Sequence, residues 1–169
     1  MPRLVDLNVT RYDFVPGATG LTTPAAPKVT ELVAGTVKAL SPYVVTTTSV
    51  NPTSSDTVSE KGITDTSNAV VPIIGNFEGT LNLFRDYTAG APTANDPLVT
   101  FNAAGVVGWI VRRLGLPAAT AWATGQKVDV FYVMTDNPQQ TGGAGDGYLK
   151  LTVPLLQQGV MYLGVTTVA

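Results

Sequence analysis

The run Thr141-Gly-Gly-Ala-Gly-Asp-Gly147 comes closer than any other stretch of this chain to a ligand-binding loop. A phosphate loop needs a Lys and a Ser or Thr after its last glycine, then a helix whose first N–H groups face the anion. Here Tyr148-Leu-Lys-Leu-Thr-Val153 follows, a strand pattern, so neither a phosphate nor a dinucleotide has a cradle. The calcium-binding repeat GGxGxD would place its acid one position beyond Asp146, and one copy does not make a repeat. The run reads as a hairpin connection.

Three further sets of residues have chemical potential on paper. Asp56, Glu60 and Asp65 lie near one another as a glycosidase pair would, but that chemistry needs rigid carboxylates and one raised pKa. Acids among Ser and Thr in a polar stretch have neither, and they read as a solvated or inter-subunit loop. Arg112-Arg113 beside Trp109 has the residue types of a nucleic-acid patch. Successive strand residues point to opposite faces, however, so each arginine is expected to pair separately with a carboxylate. Tyr87, Trp122 and Tyr132 form no stacking array with basic neighbours. Asn8-Val9-Thr10 matches a glycosylation acceptor without a secretion signal to make it meaningful. With Cys 0 and His 0, no disulfide, thiolate nucleophile, imidazole ligand or Ser-His-Asp triad can be built. Neither an enzyme nor a cofactor or metal site is expected.

The elements that would carry these residues belong to one domain, 1–169, long enough at 44% hydrophobic residues for a sizeable core. Charged residues make up 13%, against about 25% in ordinary soluble domains. The net charge is -2 and the pI about 4.9, so no basic footprint for gripping phosphates exists. So few charges leave much of the surface neutral or apolar: either Thr and Ser solvate it or, as the favoured reading, it is buried in an assembly. No apolar run has the length and continuity of a membrane-spanning helix.

Residues 1–27 read as irregular, with Pro16-Gly17 and Pro24 as turn signals and a short strand near Leu7–Tyr12. Val29, Leu32, Val33 and Val37 have helical spacing, predicting a turn or two of helix before Gly35, with Thr30 as cap. Pro42–Val50 reads as a strand. Residues 51–72 are the most polar part of the chain and predict a long exposed loop or an extended hairpin that contacts another subunit. From Asn76 to Asp86, Phe77, Gly79, Leu81 and Leu83 alternate with Glu78, Thr80 and Asn82, a strand. Asp96–Ala104 predicts a helix capped by Asn95 or Asp96, with Pro97 in first position. Val106–Leu114, Lys127–Thr135, Tyr148–Leu155 and Val160–Val168 read as strands, the last two parted by a turn. The final strand has no charge and no proline. At a sheet edge it would pair with another chain; in the centre it would be shielded.

Several segments resemble the major tail tube proteins of long-tailed siphophages, particularly those infecting actinobacteria. They are Thr30-Glu-Leu-Val-Ala-Gly-Thr36, Ser41-Pro-Tyr-Val44, Thr57-Val-Ser-Glu-Lys61, Val71-Pro-Ile-Ile-Gly-Asn-Phe-Glu-Gly-Thr-Leu81 and Phe84-Arg-Asp86. Further on are Gly108-Trp-Ile-Val-Arg-Arg113, Asp129-Val-Phe131, Thr135-Asp-Asn-Pro-Gln139 and Lys150-Leu-Thr-Val-Pro-Leu-Leu-Gln-Gln-Gly159. The likeness runs from about residue 28 to the end.

The resemblance implies a mainly β subunit, a β-sandwich or half-barrel with one or two short helices. Its implied role is to build hexameric rings that stack into the tail tube, a conduit for genome ejection into the host. The long segment Asn51–Pro72 is then the inter-ring contact, with Asp56, Glu60, Lys61 and Asp65 as its charged residues. Glu78, Asp129 and Asp136 are the acids expected to face the lumen, where they would keep passing DNA from binding. Partners implied are further copies of the chain and the tape measure, tail terminator and distal tail proteins. DNA passes without specific binding, and assembly in the bacterial cytoplasm yields a virion tail component of flexible type. A capsid decoration or head–tail completion subunit is the alternative of the same composition. A monomeric enzyme or carbohydrate-binding β-module fits poorly with sparse aromatics and no histidine or cysteine.

Overall fold

β-branched and aromatic residues recur at every second position through most of this chain, and the fold follows them. The computed structural model describes residues 8–61, 63, 69–88, 90–142 and 147–169. In chain order the elements are β1 (Thr10–Pro16), α1 (Val29–Leu32), β2 (Lys38–Ala39), β3 (Ser49–Glu60), β4 (Ala69–Phe84), β5 (Tyr87–Thr88), β6 (Ala91–Pro92), α2 (Pro97–Thr100), β7 (Val107–Leu114), β8 (Lys127–Thr135), β9 (Gln139–Thr141) and β10 (Lys150–Thr166). All but β5 and β6 join one antiparallel sheet in the order β2-β1-β7-β8-β10-β4-β3, with β9 also on β10. The protein is mainly β, with two single-turn helices among the described residues, as the sequence predicts.

The sheet curls around one face. Tyr12, Phe14, Ile110, Phe131, Val133, Leu151, Val153, Leu81 and Leu83 line its inside, alternating along their strands with residues of the other face. Gly108 makes the tight contact: a Cβ there would lie 2.5 Å from the Phe14 ring. The curl is tied shut by residues 40–48, where the sequence predicts a strand. Tyr43 N and Val44 N both donate to Leu40 O, a turn, because Pro42 breaks the extended run. This strap bonds to both sides: Leu40 N donates to Tyr12 O, and Val45 N donates to Asn82 O at 2.8 Å.

A second apolar cluster lies on the outer face, where Val15, Trp109, Val111, Val128 and Val130 are covered by Leu21, Leu32 and Trp122. Its cover is pinned by charge. Arg113 is fully buried; its Nη1 donates to Gln126 Oε1 at 2.9 Å and its Nη2 to Pro117 O at 2.8 Å and Thr120 O at 3.0 Å. Burial, with Arg11 adding to it, lowers the Arg113 pKa from its ordinary value while Asp13 acts the other way. Trp122 has Arg11 and Arg113 over its ring at 4.8 and 4.9 Å, and its Nε1 donates to buried Asp13 at 2.7 Å. Basic neighbours do stack on Trp122, contrary to the sequence reading, but inside the protein.

Several expectations shift. The first 27 residues hold a full strand, β1, because Asp13 and Phe14 are wanted on opposite faces of the sheet. α1 is the expected single turn, yet Lys28 and not Thr30 sits at its N-cap. Glu31 supplies the acceptors there, taking Thr22 N at 3.0 Å and Lys28 N at 3.1 Å. α2 is shorter than Asp96–Ala104, with Asp96 capping Leu98 N at 2.8 Å and Pro97 first as expected. The two final strands are one 17-residue strand. Its irregularities fall between Gln157 and Met161 and between Tyr162 and Val165, where extra residues bulge without reversing the chain.

Arg113→Lys removes the planar fork that serves three separate carbonyl oxygens. A loss of about 3 kcal/mol is expected, seen as a melting midpoint lower by roughly 10 °C in a thermal scan. At Glu31, burial raises the pKa, but hydrogen bonds from Thr22 and Lys28 and the Lys28 charge lower it by more. A lowered carboxyl pKa gives stability that is present above the unfolded value and lost as pH falls through the folded one. Glu31→Gln is therefore expected to melt below wild type at neutral pH and alongside it in acid, in melts across a pH series.

Candidate assembly interface

The polar segment 51–72 is the extended hairpin: β3 and β4 pair from Ser49↔Thr80 out to Glu60↔Ala69. Near its base the hairpin is part of the curled sheet, but from about Asn76 outward it stands away as an arm. Val70, Val71, Ile73 and Ile74 on the arm are 58%, 57%, 57% and 53% exposed. Neighbouring strand residues point to opposite faces, so apolar side chains cover both sides of this ribbon.

The arm leaves the sheet at a defined point. β4 and β10 run in register from Phe84↔Lys150 to Gly79↔Leu155. There the ladder ends in a side chain: Gln157 Oε1 accepts from Phe77 N at 2.9 Å, and its Nε2 donates to Gly75 O at 3.1 Å and Gly159 O at 3.0 Å. Asn76 holds the other side, its Nδ2 donating to Ser54 O at 3.2 Å and Asp56 Oδ1 at 3.0 Å where β3 bulges. Gly75 leaves room for Met161, whose Cε would lie 3.3 Å from a Cβ. Beyond Gln157, β10 pairs with β8 on one side, and among the described residues no strand pairs its other edge. Val160 and Leu163 there are 66% and 49% exposed. The final strand is thus central in its first half and an edge in its second.

Of the sequence-derived charged residues, Asp56, Glu60 and Lys61 are exposed on or beside the arm, and Asp65 lies outside the described residues. So does Asp146 of the glycine-rich run. Glu78 is exposed; Asp136 is half-buried and accepts Asn137 N at 2.7 Å. They flank β10 from its two sides, since Asp136 N donates to Pro154 O and Gly79 pairs with Leu155. Asp129 stands apart from them. Its Oδ2 pairs with Arg112 at 2.9 Å and its Oδ1 accepts Gly164 N at 2.8 Å. Arg112 Nη1 in turn donates to Val50 O at 2.6 Å, tying the root of β3 to β7 and β8. Arg112 therefore meets a carboxylate as expected, whereas Arg113 on the opposite face meets carbonyls. Sequence reasoning missed Gln157, Asn76, Gly75 and Met161; two amides and a glycine interrupting apolar strands were the available signal.

Among the described residues no group of His, Cys, Asp and Glu could hold a metal ion, and no helix is long and apolar enough to cross a membrane. The geometry is that of an interaction surface built on strand edges.

The sequence profile of the phage tail tube protein family matches residues 1–169. The chain belongs to that family and is a structural protein of the virion tail. Among solved structures, one described as the cryo-EM structure of the anti-feeding prophage (AFP) baseplate, 6-fold symmetrised, is similar. It aligns with a TM-score of 0.51 at 17% identity, over 98% of this chain and 99% of that one, a likeness of fold. No curated protein matches the chain at significance.

Ile73→Asp and Ile74→Asp place one charge on each face of the arm. Each is expected to leave the monomer within about 0.5 kcal/mol of wild-type stability. Each is also expected to raise the critical concentration for self-association about thirtyfold, equivalent to about 2 kcal/mol. Sedimentation across a concentration series checks this, and an effect from only one of the two would show one-sided burial.

Proposed function

We propose that this chain assembles into hexameric rings that stack to form the tail tube of a siphophage, through which the genome passes into the host. The observation that carries this reading is the arm, which exposes apolar side chains of β4 on both faces, beside an uncharged open strand edge. Monomeric sheet proteins often blunt such edges with charge or proline, and the open stretch 158–166 of β10, although it bulges, has neither. Here β10 carries no charge from Leu151 to its end. Family membership supports a tube subunit, and the six-fold symmetry of the similar baseplate structure supports the ring number.

The arm would reach the next ring, with Asp56, Glu60, Lys61 and Asp65 at the contact. A head-to-tail contact of this kind uses different surfaces on the two copies and generates a filament when it does not close. Tape measure, tail terminator and distal tail proteins would meet the tube inside and at its ends, after assembly in the bacterial cytoplasm. Glu78, Asp129 and Asp136 are the lumen candidates. Glu78 and Asp136 belong to none of the ion pairs found among the described residues, while Arg112 already neutralises Asp129. An acidic lumen favours transit, because every basic phosphate contact would strengthen retention through counterion release.

Negative-stain electron microscopy of the purified chain across a concentration series is expected to show hollow tubes with a regular axial repeat. A chain lacking residues 54–66 is expected to give rings that do not stack. Discrete closed oligomers from the full chain that never stack would instead identify a head–tail completion or decoration subunit.

A further inference from the structure

Resting on that self-assembly, we infer that the Gln157 side chain acts as a splitter. It ends the β4–β10 ladder and so keeps the β10 edge beyond it open to accept a strand of a second copy.

The chemistry at the branch is specific. A side-chain amide has the same acceptor and donor as a backbone peptide. At Gln157 the oxygen takes the Phe77 N–H and the nitrogen serves Gly75 O. Those are the two β4 groups that the next peptides of β10 would otherwise satisfy. With β4 capped in this way, the β10 backbone is released from it. Relative to β8, whose Val133 and Phe131 face Gln157 and Met161, β10 has extra residues here and bulges away. The third bond, from Gln157 Nε2 to Gly159 O, holds that bulge.

Charge does not oppose closure at the branch. β4 from Val70 to Phe77 and β10 from Gln158 to Thr166 carry no charged residue on either side of the fork. Ile73 and Ile74 on one arm and Val160 and Leu163 on the other are exposed apolar side chains. Without the amide, zipping the two edges together would satisfy their backbones and cover those residues within one chain. The open edge would then be lost to any partner.

The occupant is a second copy. The sheet ends in β2, two residues long, and in β3, which is 12 residues long. β3 is the longer of these two edges, and the part beyond Pro52, which has no N–H to donate, is the edge that another copy offers to the open stretch of β10, with Asp56 and Glu60 among its side chains. Joining these two different edges is a head-to-tail contact, which repeats from copy to copy.

Hydrogen exchange of monomer and polymer, with sedimentation of the polymer, tests this for wild type, Gln157→Val, Gln157→Glu and the control Gln158→Val. Gln158 is exposed and its amide only donates to Gln157 O, so its replacement is expected to behave as wild type. In wild type, fork-facing amides within residues 158–166 are expected to exchange quickly in the monomer and about tenfold more slowly in the polymer, the effect of one ordinary hydrogen bond. In Gln157→Val they are expected to be slow already in the monomer, together with those of 69–76. Its sedimentable polymer should fall about tenfold with an unchanged melting midpoint. Gln157→Glu keeps the acceptor and loses the donor, and is expected to fall between the two; it decides the matter if the valine variant does not fold. Wild-type exchange and assembly in the folded Gln157 variants would overturn the inference. A wild-type chain that stays monomeric counts against the tube reading alone, because the monomer exchange pattern still decides what Gln157 does.

Discussion

β10 is longer than any neighbour can follow, and the rest of the sheet is arranged around that fact. A strand of 17 residues runs about 56 Å at the usual rise. β4 accompanies it only over Lys150–Leu155, and β8 takes over from Leu155 to Thr166. This stagger is what lets the sheet curl, since each neighbour is displaced along the shared strand as in a barrel. It also releases β4 with more than half its length unspent, and the outer part of that remainder, paired to β3, becomes the arm. The curl, the arm and the open edge are three consequences of one mismatch in length.

Charge is used where the curl has to be tied. The chain has 10 basic and 12 acidic residues, and three of its arginines tie separate elements or segments together. Arg85 joins the end of β4 to the α2 cap through Asp96 at 2.9 Å. Arg112 joins β7, β8 and the root of β3. Arg113 gathers the segment after β7 over the outer cluster. Buried pairs of this kind add little net stability over apolar packing, but breaking one is costly, so they fix geometry more than they strengthen it. Spending arginines inside leaves the outside short of charge, and the arm's Ser and Thr residues carry much of the polar surface that remains.

The sequence showed those parts of the fold where one face is buried and the other wet. Phe77, Leu81 and Leu83 alternate cleanly and are buried as expected, and Lys127–Thr135 is a strand over the whole predicted range. The arm was legible as an exposed hairpin because its polar residues outnumber the rest. Three things were hidden. β1 sits among turn signals, and its alternation is masked because Asp13 is buried as fully as Phe14. β10 looked like two strands because Gln157, Gln158 and Gly159 resemble a turn, and it is the register shift against Val133 and Phe131 that shows they form a bulge. The branch itself depends on a bond between Gln157 and Phe77, 80 residues apart, and no local pattern reports such a contact.

The arm also links stability to assembly. An isolated two-stranded ribbon is marginal in water, and this one leaves apolar side chains on both faces exposed to solvent. Within one chain, its outer part has backbone pairing and almost no burial to offset the entropy of ordering it. In the proposed assembly, a surface on another copy that covers Ile73 and Ile74 would supply the missing term, and because it would bind only the ordered arm, it would stabilise the arm by mass action. Ordering of the arm and growth of the polymer then draw on the same free energy. In the proposed assembly this separates two needs: the curled sheet with its buried arginines folds on its own contacts, and a second copy covers the apolar side chains of the arm.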